Sequence, residues 1–248
     1  MCELLGMSAL HPTDVNHSVA LLRPRGGELG PHADGWGLAF YEGRAARVFK
    51  EPIPAAESRC LGFIAEYDFR SSIVIGHIRK ANPAQFGRAS ANTHPFSREL
   101  WGRSWVFAHN GKLPGVTEDP RFALGRFRPM GDTDSEHAFC FLLDRLAEAG
   151  DGRPLGPSEL EAVLAELVAL LSEMGELNFV LSEGVHLVAF ANTKLHRAQR
   201  ACVEGSCRQQ VVVLATTPLT DAPWHRVDHG RLHIFAGGTE TRRTEVAA

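Results

Sequence analysis

No apolar run in this chain approaches the roughly 20 residues that a membrane-spanning helix requires. Its N-terminus lacks a basic segment followed by a long apolar core. Neither a membrane span nor an export signal is expected, and the cytoplasm is the expected compartment. Charge excess is also missing: 26 Lys and Arg face 29 Asp and Glu, for a net charge of −3. That balance gives no electrostatic reason to expect nucleic acid or an anionic membrane as a partner. The five cysteines (Cys2, Cys60, Cys140, Cys202, Cys207) contain no C-x-x-C pair and are odd in number, so they read as reduced thiols. Cys60 and Cys140 fall in helical patterns and read as packing residues. Cys202 and Cys207 bracket a Glu-Gly-Ser stretch that reads as a plain loop, with a bridge as the alternative.

The twelve histidines include no H-E-x-x-H, and His77, His94 and His109 lie on separate segments, so no metal is indicated. Nothing points to an organic cofactor. There is no G-x-G-x-x-G and no regular β-α-β alternation, which argues against a dinucleotide-binding doubly wound sheet. Neither an internal repeat nor a low-complexity linker divides the chain, and one domain over residues 1–248 is expected.

What is present is an apolar fraction of 44%, ample for a core. Residues 2–10 read as a buried strand and residues 15–22 as helical. Residues 36–41 and 45–49 read as a hairpin turning at Glu42-Gly43, residues 54–67 as helical, and residues 72–78 as a central β-branched strand. The stretch 79–100 is polar and irregular, followed by a short strand over 105–108. Thr133 and Glu136 have capping-box spacing and open a helix with Ala138, Phe139, Leu142, Leu143 and Leu146 inward. A second helix is expected from Ser158, with Glu161 at its box position and an apolar stripe from Leu160 to Met174. Strands over 177–181, 186–191, 211–216 and 232–235 follow, the first two around a Ser182-Glu183-Gly184 turn. Strands, two helices, then strands again predict an α+β fold of antiparallel sheets covered by helices.

Cys2 stands directly behind Met1. With Met1 removed, the thiol and a free α-amine share one residue. Such an amine titrates near pH 8 and can accept a proton, so the pair is a nucleophile with its own base. An ordinary strand cysteine is the alternative. Four polar insertions carry further unusual residues. Asp34-Gly35-Trp36-Gly37 flanks a tryptophan with glycines, as a tight turn or a close backbone approach. Arg79 emerges from the 72–78 strand, either as a surface residue or as a two-point fork for a carboxylate. Asn92-Thr93-His94-Pro95-Phe96 is followed by Ala108-His109-Asn110-Gly111. An Asn-Gly turn is the default there, yet an asparagine amide beside a glycine N–H also supplies two donors for an oxyanion. Asp134 sits in the first turn of a helix, where the dipole alone explains a carboxylate; binding of an ammonium group is the alternative.

These segments, in this order, resemble the glutaminase domain of class II glutamine amidotransferases, members of the N-terminal nucleophile hydrolases. The resemblance rests on the N-terminal cysteine, Asp-Gly-Trp-Gly-Leu-Ala, Gly-His-Ile-Arg, Thr-His-Pro-Phe, His-Asn-Gly and Gly-Asp-Thr-Asp-Ser-Glu, and covers nearly the whole chain. The openings Met1 to Ser8 and Pro31 to Gly37, with Thr93 to Gly102, resemble the stand-alone bacterial YafJ-like branch. The resemblance implies a four-layer αββα sandwich. It implies Cys2 as nucleophile, Asn110 and the Gly111 N–H as oxyanion hole, and Arg79 and Asp134 as holders of the glutamine α-carboxylate and α-ammonium. His94 is implied near the glutamine pocket. Sugar-aminating members continue Arg-Trp-Ala-Thr-His-Gly where this chain reads Arg79-Lys80-Ala81-Asn82-Pro83.

The expected reaction is hydrolysis of the glutamine side-chain amide through a γ-glutamyl thioester on Cys2. Because the motifs consume the chain, ammonia is expected to pass to a synthase partner in trans. A free-standing hydrolase of another γ-glutamyl amide is the alternative, and a non-catalytic scaffold the second.

Overall fold

The computed structural model describes residues 2–67, 69–80, 88–202 and 208–246. The strands are β1 (Glu3–Thr13), β2 (Trp36–Glu42), β3 (Ala45–Glu51), β4 (Ser71–Ile78), β5 (Phe96–Leu100), β6 (Arg103–His109), β7 (Asn178–Ser182), β8 (Leu187–Ala191), β9 (His196–Cys202), β10 (Gln209–Ala215), β11 (His225–Arg226), β12 (Arg231–Ala236) and β13 (Thr239–Glu245). The helices are α1 (Asn16–Leu22), α2 (Arg59–Glu66), α3 (Asp134–Gly150) and α4 (Pro157–Ser172). One sheet runs β11-β9-β10-β1-β4-β2-β3 and the other β13-β12-β8-β7-β6-β5. The described pairings are antiparallel.

Strand parity assigns each side chain to a layer. Along β1, Leu4 faces the second sheet, while Leu5, Met7 and Ala9 pack under α1 and α2 with Val19, Leu22, Leu61 and Ile64. Along β6, Val106 and Ala108 face the first sheet, and Trp105 and Phe107 pack under α3 and α4. The result is the four-layer αββα sandwich. Strands buried on both faces also explain why residues 2–10 read as one continuous apolar run.

Phe139, Leu142, Leu143 and Leu146 of α3 are fully buried. At about 1.5–3 kcal/mol per buried side chain, they outweigh the Thr133 cap, worth about 1 kcal/mol. Only half of the expected capping box forms. Thr133 Oγ1 accepts from the Glu136 N–H, but the Glu136 carboxylate turns away to Arg98 at 2.6 Å and to the Gly131 N–H at 2.8 Å.

Several expectations need correction. The polar stretch before residue 100 contains β5, whose Arg98 is held by buried Glu136. Polar β9 and β13 were also unexpected; Arg197 and Glu240 pair across them, and Arg242 pairs with Glu161. The cap of α4 is Gly156, followed by Pro157, and Glu159 rather than Glu161 accepts from the cap N–H. Cys202 is disulfide-bonded, against its reading as a reduced thiol, while the stretch expected to be a loop, with Cys207, lies outside the described residues. The departure at residues 81–83 also lies outside them. Among the described residues, no helix is long and apolar enough to cross a membrane.

Candidate active site

Three strands end at one place, and each delivers its next residue to the space between the sheets. Cys2 precedes β1, Arg79 follows β4, and Asn110 follows β6. Their parity matches the inward-facing Leu4, Ile75 and Ala108. The β1–β4 ladder pairs Glu3 with Ile78, which brings Cys2 alongside Arg79 and Lys80. The Lys80 N–H donates to Cys2 Sγ at 3.3 Å, and the thiol is 3.5 Å from the Lys80 carbonyl oxygen. Burial pushes the Cys2 thiol up, with the Lys80 hydrogen bond and the positive charge of Arg79 opposing it. A thiol in this setting needs a base.

The Cys2 nitrogen donates to Asn110 Oδ1 at 2.9 Å, and Asn110 Nδ2 returns a hydrogen bond to the Cys2 carbonyl at 2.8 Å. The second Asn110 amide hydrogen goes to Thr216 Oγ1 at 3.2 Å. Asn178 fixes the Asn110 backbone on both sides, with 2.8 Å bonds to its N–H and its carbonyl. The Gly111 N–H has no hydrogen-bond partner among the described residues. A methyl group at Gly111 would collide with the Glu176 carbonyl and come within 2.7 Å of His109 Nε2.

Arg79 is 4% exposed. Its position is set by Asp34-Gly35: the Arg79 N–H donates to the Gly35 carbonyl at 2.7 Å, and Nη1 reaches the Asp34 carbonyl at 3.3 Å. Gly35 has φ +145°, and a Cβ there would press on Thr93 at 3.0 Å, so the motif is a close approach and not merely a turn. Opposite, Asp134 Oδ2 accepts from the Leu113 N–H at 2.8 Å and Oδ1 from the Ser135 N–H at 2.7 Å. Cys2, Arg79, His94, Gly111 and Asp134 line one cavity of about 310 Å³. Asn110 lines a second, of about 460 Å³, which it shares with Cys2 and Gly111.

The His94 ring lies between His77 and Phe96, at 4.2 and 4.4 Å between ring centroids. Neither ring nitrogen has a partner among the described residues. Burial pushes His94 well below its ordinary value and His77 down to about 3, so both rings are neutral at working pH. His94 is therefore a flat, uncharged wall of the cavity. Among the described residues, no group of three or more His, Cys, Asp or Glu is placed to hold a metal ion.

Sequence reasoning passed over His109, Ser135 and Thr216 as site residues. His109 has outward parity and bridges Ser135 Oγ at 2.8 Å and the Glu176 carbonyl at 3.1 Å. It thus ties the Asp134 turn to the wall behind Gly111. Thr216 Oγ1 accepts from both Asn110 and the Leu4 N–H. The His-Asn-Gly and Asp-Ser strings contained two of these residues, but nothing in one dimension signalled that they meet.

Residues 1–203 match the family model for class II glutamine amidotransferases. YafJ of Escherichia coli, provisionally named a glutamine amidotransferase, is 40% identical over 96% of this chain and 98% of its own length. A similarly named protein of Haemophilus influenzae is 35% identical over 96% of this chain and 85% of its own. The crystal structure of a predicted glutamine amidotransferase from Pseudomonas aeruginosa superposes with a TM-score of 0.76 at 36% identity, covering 97% of this chain and all of that one. Glutamine phosphoribosylpyrophosphate amidotransferase of B. subtilis shares the fold at 16% identity, with a TM-score of 0.67 over 99% of this chain and 49% of its own.

Proposed function

Because the chain belongs to the class II glutamine amidotransferases, we propose that it hydrolyses the side-chain amide of L-glutamine to glutamate and ammonia, with Cys2 as nucleophile. The observation that carries this reading is one cavity lined by a thiol, a cation and an anion: Cys2, Arg79 and Asp134. A glutamine zwitterion has the complementary charges at its α-carbon and an amide at its far end. Arg79 takes the α-carboxylate and Asp134 the α-ammonium, so a ligand lacking either group forfeits one charge-assisted contact.

With Met1 removed, the Cys2 nitrogen becomes an α-amine. Its hydrogen bond to Asn110 Oδ1 leaves the lone pair for the thiol proton. The thiolate attacks the amide carbon, and the oxyanion forms against the Gly111 N–H. Losing one such donor typically costs about 3 kcal/mol of barrier. Asn110 holds the terminal amine in place and supplies a second oxyanion donor by releasing its longer bond, the one to Thr216. The C–N bond breaks as ammonia takes the proton from the amine. Water then adds to the γ-glutamyl thioester, the C–S bond breaks, and the thiol is restored with glutamate released.

Strands β10, β12 and β13 complete the same two sheets. Delivery of the released ammonia to an acceptor held by another protein belongs to the same proposal. Intact mass before and after 6-diazo-5-oxonorleucine tests the assignment. Loss of Met1 and one adduct on Cys2, absent in Cys2→Ala, is expected alongside glutamate release. Full glutamate release by Cys2→Ala would overturn it.

A further inference from the structure

Strand β6 begins at Arg103 and delivers Asn110 just past its other end, roughly 20 Å away along an extended strand. At the Arg103 end, remote from Cys2, lies a cavity of about 200 Å³. Its lining includes Trp101, Arg103, Trp105, Leu155, Glu183 and His186, drawn from the β5–β6 turn, the approach to α4 and the β7–β8 turn. Holding one water takes only about 10–15 Å³ of such space, so the cavity has room for a small organic ligand.

Two charged groups border it without their partners. Glu183 is 7% exposed. Its Oε1 accepts from the His186 N–H at 3.1 Å and from His186 Nδ1 at 2.7 Å. Its Oε2 is buried and has no hydrogen-bond partner among the described residues. Leaving a buried acceptor unmade costs more than a made bond returns, so the cavity is short of a donor there. Arg103, half-buried on the same lining, forms no ion pair among the described residues, with Glu183 or any other acid. The indoles of Trp101 and Trp105 meet edge to face, 6.0 Å between centroids. Trp101 opens the two-residue β5–β6 turn with φ +57°, followed by Gly102 at +69°, a geometry that ordinarily takes asparagine or glycine. A tryptophan there gives up backbone ease for an indole packed against Gly150, where a Cβ would come within 2.5 Å of it.

We propose that this cavity binds a small apolar α-amino acid. Its ammonium donates to Glu183 Oε2, its carboxylate sits on the Arg103 guanidinium, and its side chain lies against Trp101, Trp105 and Leu155. A zwitterion supplies both missing partners at once through charge-assisted contacts. A simple amine would leave Arg103 unmatched, and a simple acid would leave Glu183 Oε2 bare. The apolar lining selects the side chain by burial. This site is separate from the Cys2 pocket and does not depend on the reaction there.

Titration of the full chain with L-leucine, leucinamide and isocaproate, followed by calorimetry and tryptophan fluorescence, tests this. Leucinamide lacks the carboxylate and isocaproate the ammonium. Each is expected to bind more weakly than L-leucine by about tenfold or more, the loss of one charge-assisted contact. Glu183→Gln and Arg103→Gln should each weaken L-leucine by a similar factor, while Arg79→Gln leaves its affinity unchanged. Arg103 is half-buried, so its variant still reads the site should Glu183→Gln fail to fold. L-leucine affinity that survives in both variants overturns the inference, and its loss in Arg79→Gln instead would locate the ligand in the glutamine pocket. Equal affinities for the three probes overturn it too. So does the absence of both heat and fluorescence change at millimolar L-leucine.

Discussion

Replacing Gly111 by alanine separates what the backbone N–H does from what the glycine allows. The added methyl would overlap the Glu176 carbonyl and lie 2.7 Å from His109 Nε2. Neither neighbour yields readily: Glu176 O already accepts from the Lys112 N–H at 3.0 Å, and His109 is fixed at its other end by Ser135. The peptide at residue 111 must therefore move. Overpacking of this kind costs about 1–3 kcal/mol, and at roughly 2–4 °C per kcal/mol for a chain of this size the loss is readable by calorimetry. On the proposed mechanism, displacing the N–H from the oxyanion adds a separate kinetic loss of about 100- to 1000-fold in kcat. Gly62 supplies the control. A methyl there meets nothing closer than Arg23 Nη1 at 3.7 Å, inside α2, so Gly62→Ala should raise stability by roughly 0.5–1 kcal/mol with kcat unchanged. Gly111→Ala with both Tm and kcat at the wild-type level would refute the steric and the catalytic arguments together.

Arg98→Met leaves Glu136, whose side chain is 2% exposed, without its 2.6 Å partner. A loss of about 3–5 kcal/mol is expected, and a urea midpoint within error of wild type would contradict it. Ser135→Ala removes the Oγ contacts to His109 and Asp134. We expect KM for glutamine to rise several-fold with a smaller change in kcat; an unchanged KM would show that Asp134 holds itself. Burial holds His77, His94 and His109 below their ordinary values. The unfolded chain protonates these rings near pH 6.5 and the folded chain does not, so stability is full above that pH and falls as pH drops below it. Each ring contributes up to about 1.4 kcal/mol per pH unit. Urea unfolding at pH 7, 6 and 5 should show the decline, and equal midpoints would count against neutral buried rings.

The sequence made the helices and the strand ends readable for local reasons. Thr133 caps α3 through its own side chain, and β1 and β4 are apolar on both faces. Strands β5, β9 and β13 were missed because their polar residues are neutralised by partners distant in sequence: Arg98 by Glu136, Arg197 by Glu240, Arg242 by Glu161. Period-2 patterning cannot register an ion pair that only the folded chain forms. The same limit applies at the site. Cys2, Arg79 and Asn110 were legible because each stands at the end of a strand in a recognisable string. The links from Thr216 to Asn110 and from Ser135 to His109 depend on three-dimensional proximity. So does the second cavity, which has no sequence signature at all.

The anchoring of the reactive groups divides the molecule by rate of permissible change. Cys2 and Arg79 are neighbours through the β1–β4 ladder, and a shift of either strand would flip the apolar residues behind it out of both cores. The cavity walls from Gly111 to Glu118 and from Asp132 to Ser135, and around Met174 and Glu176, come largely from turns outside that ladder. Descendants of this chain, or libraries built on it, can therefore exchange wall residues while Cys2 and Arg79 keep their spacing.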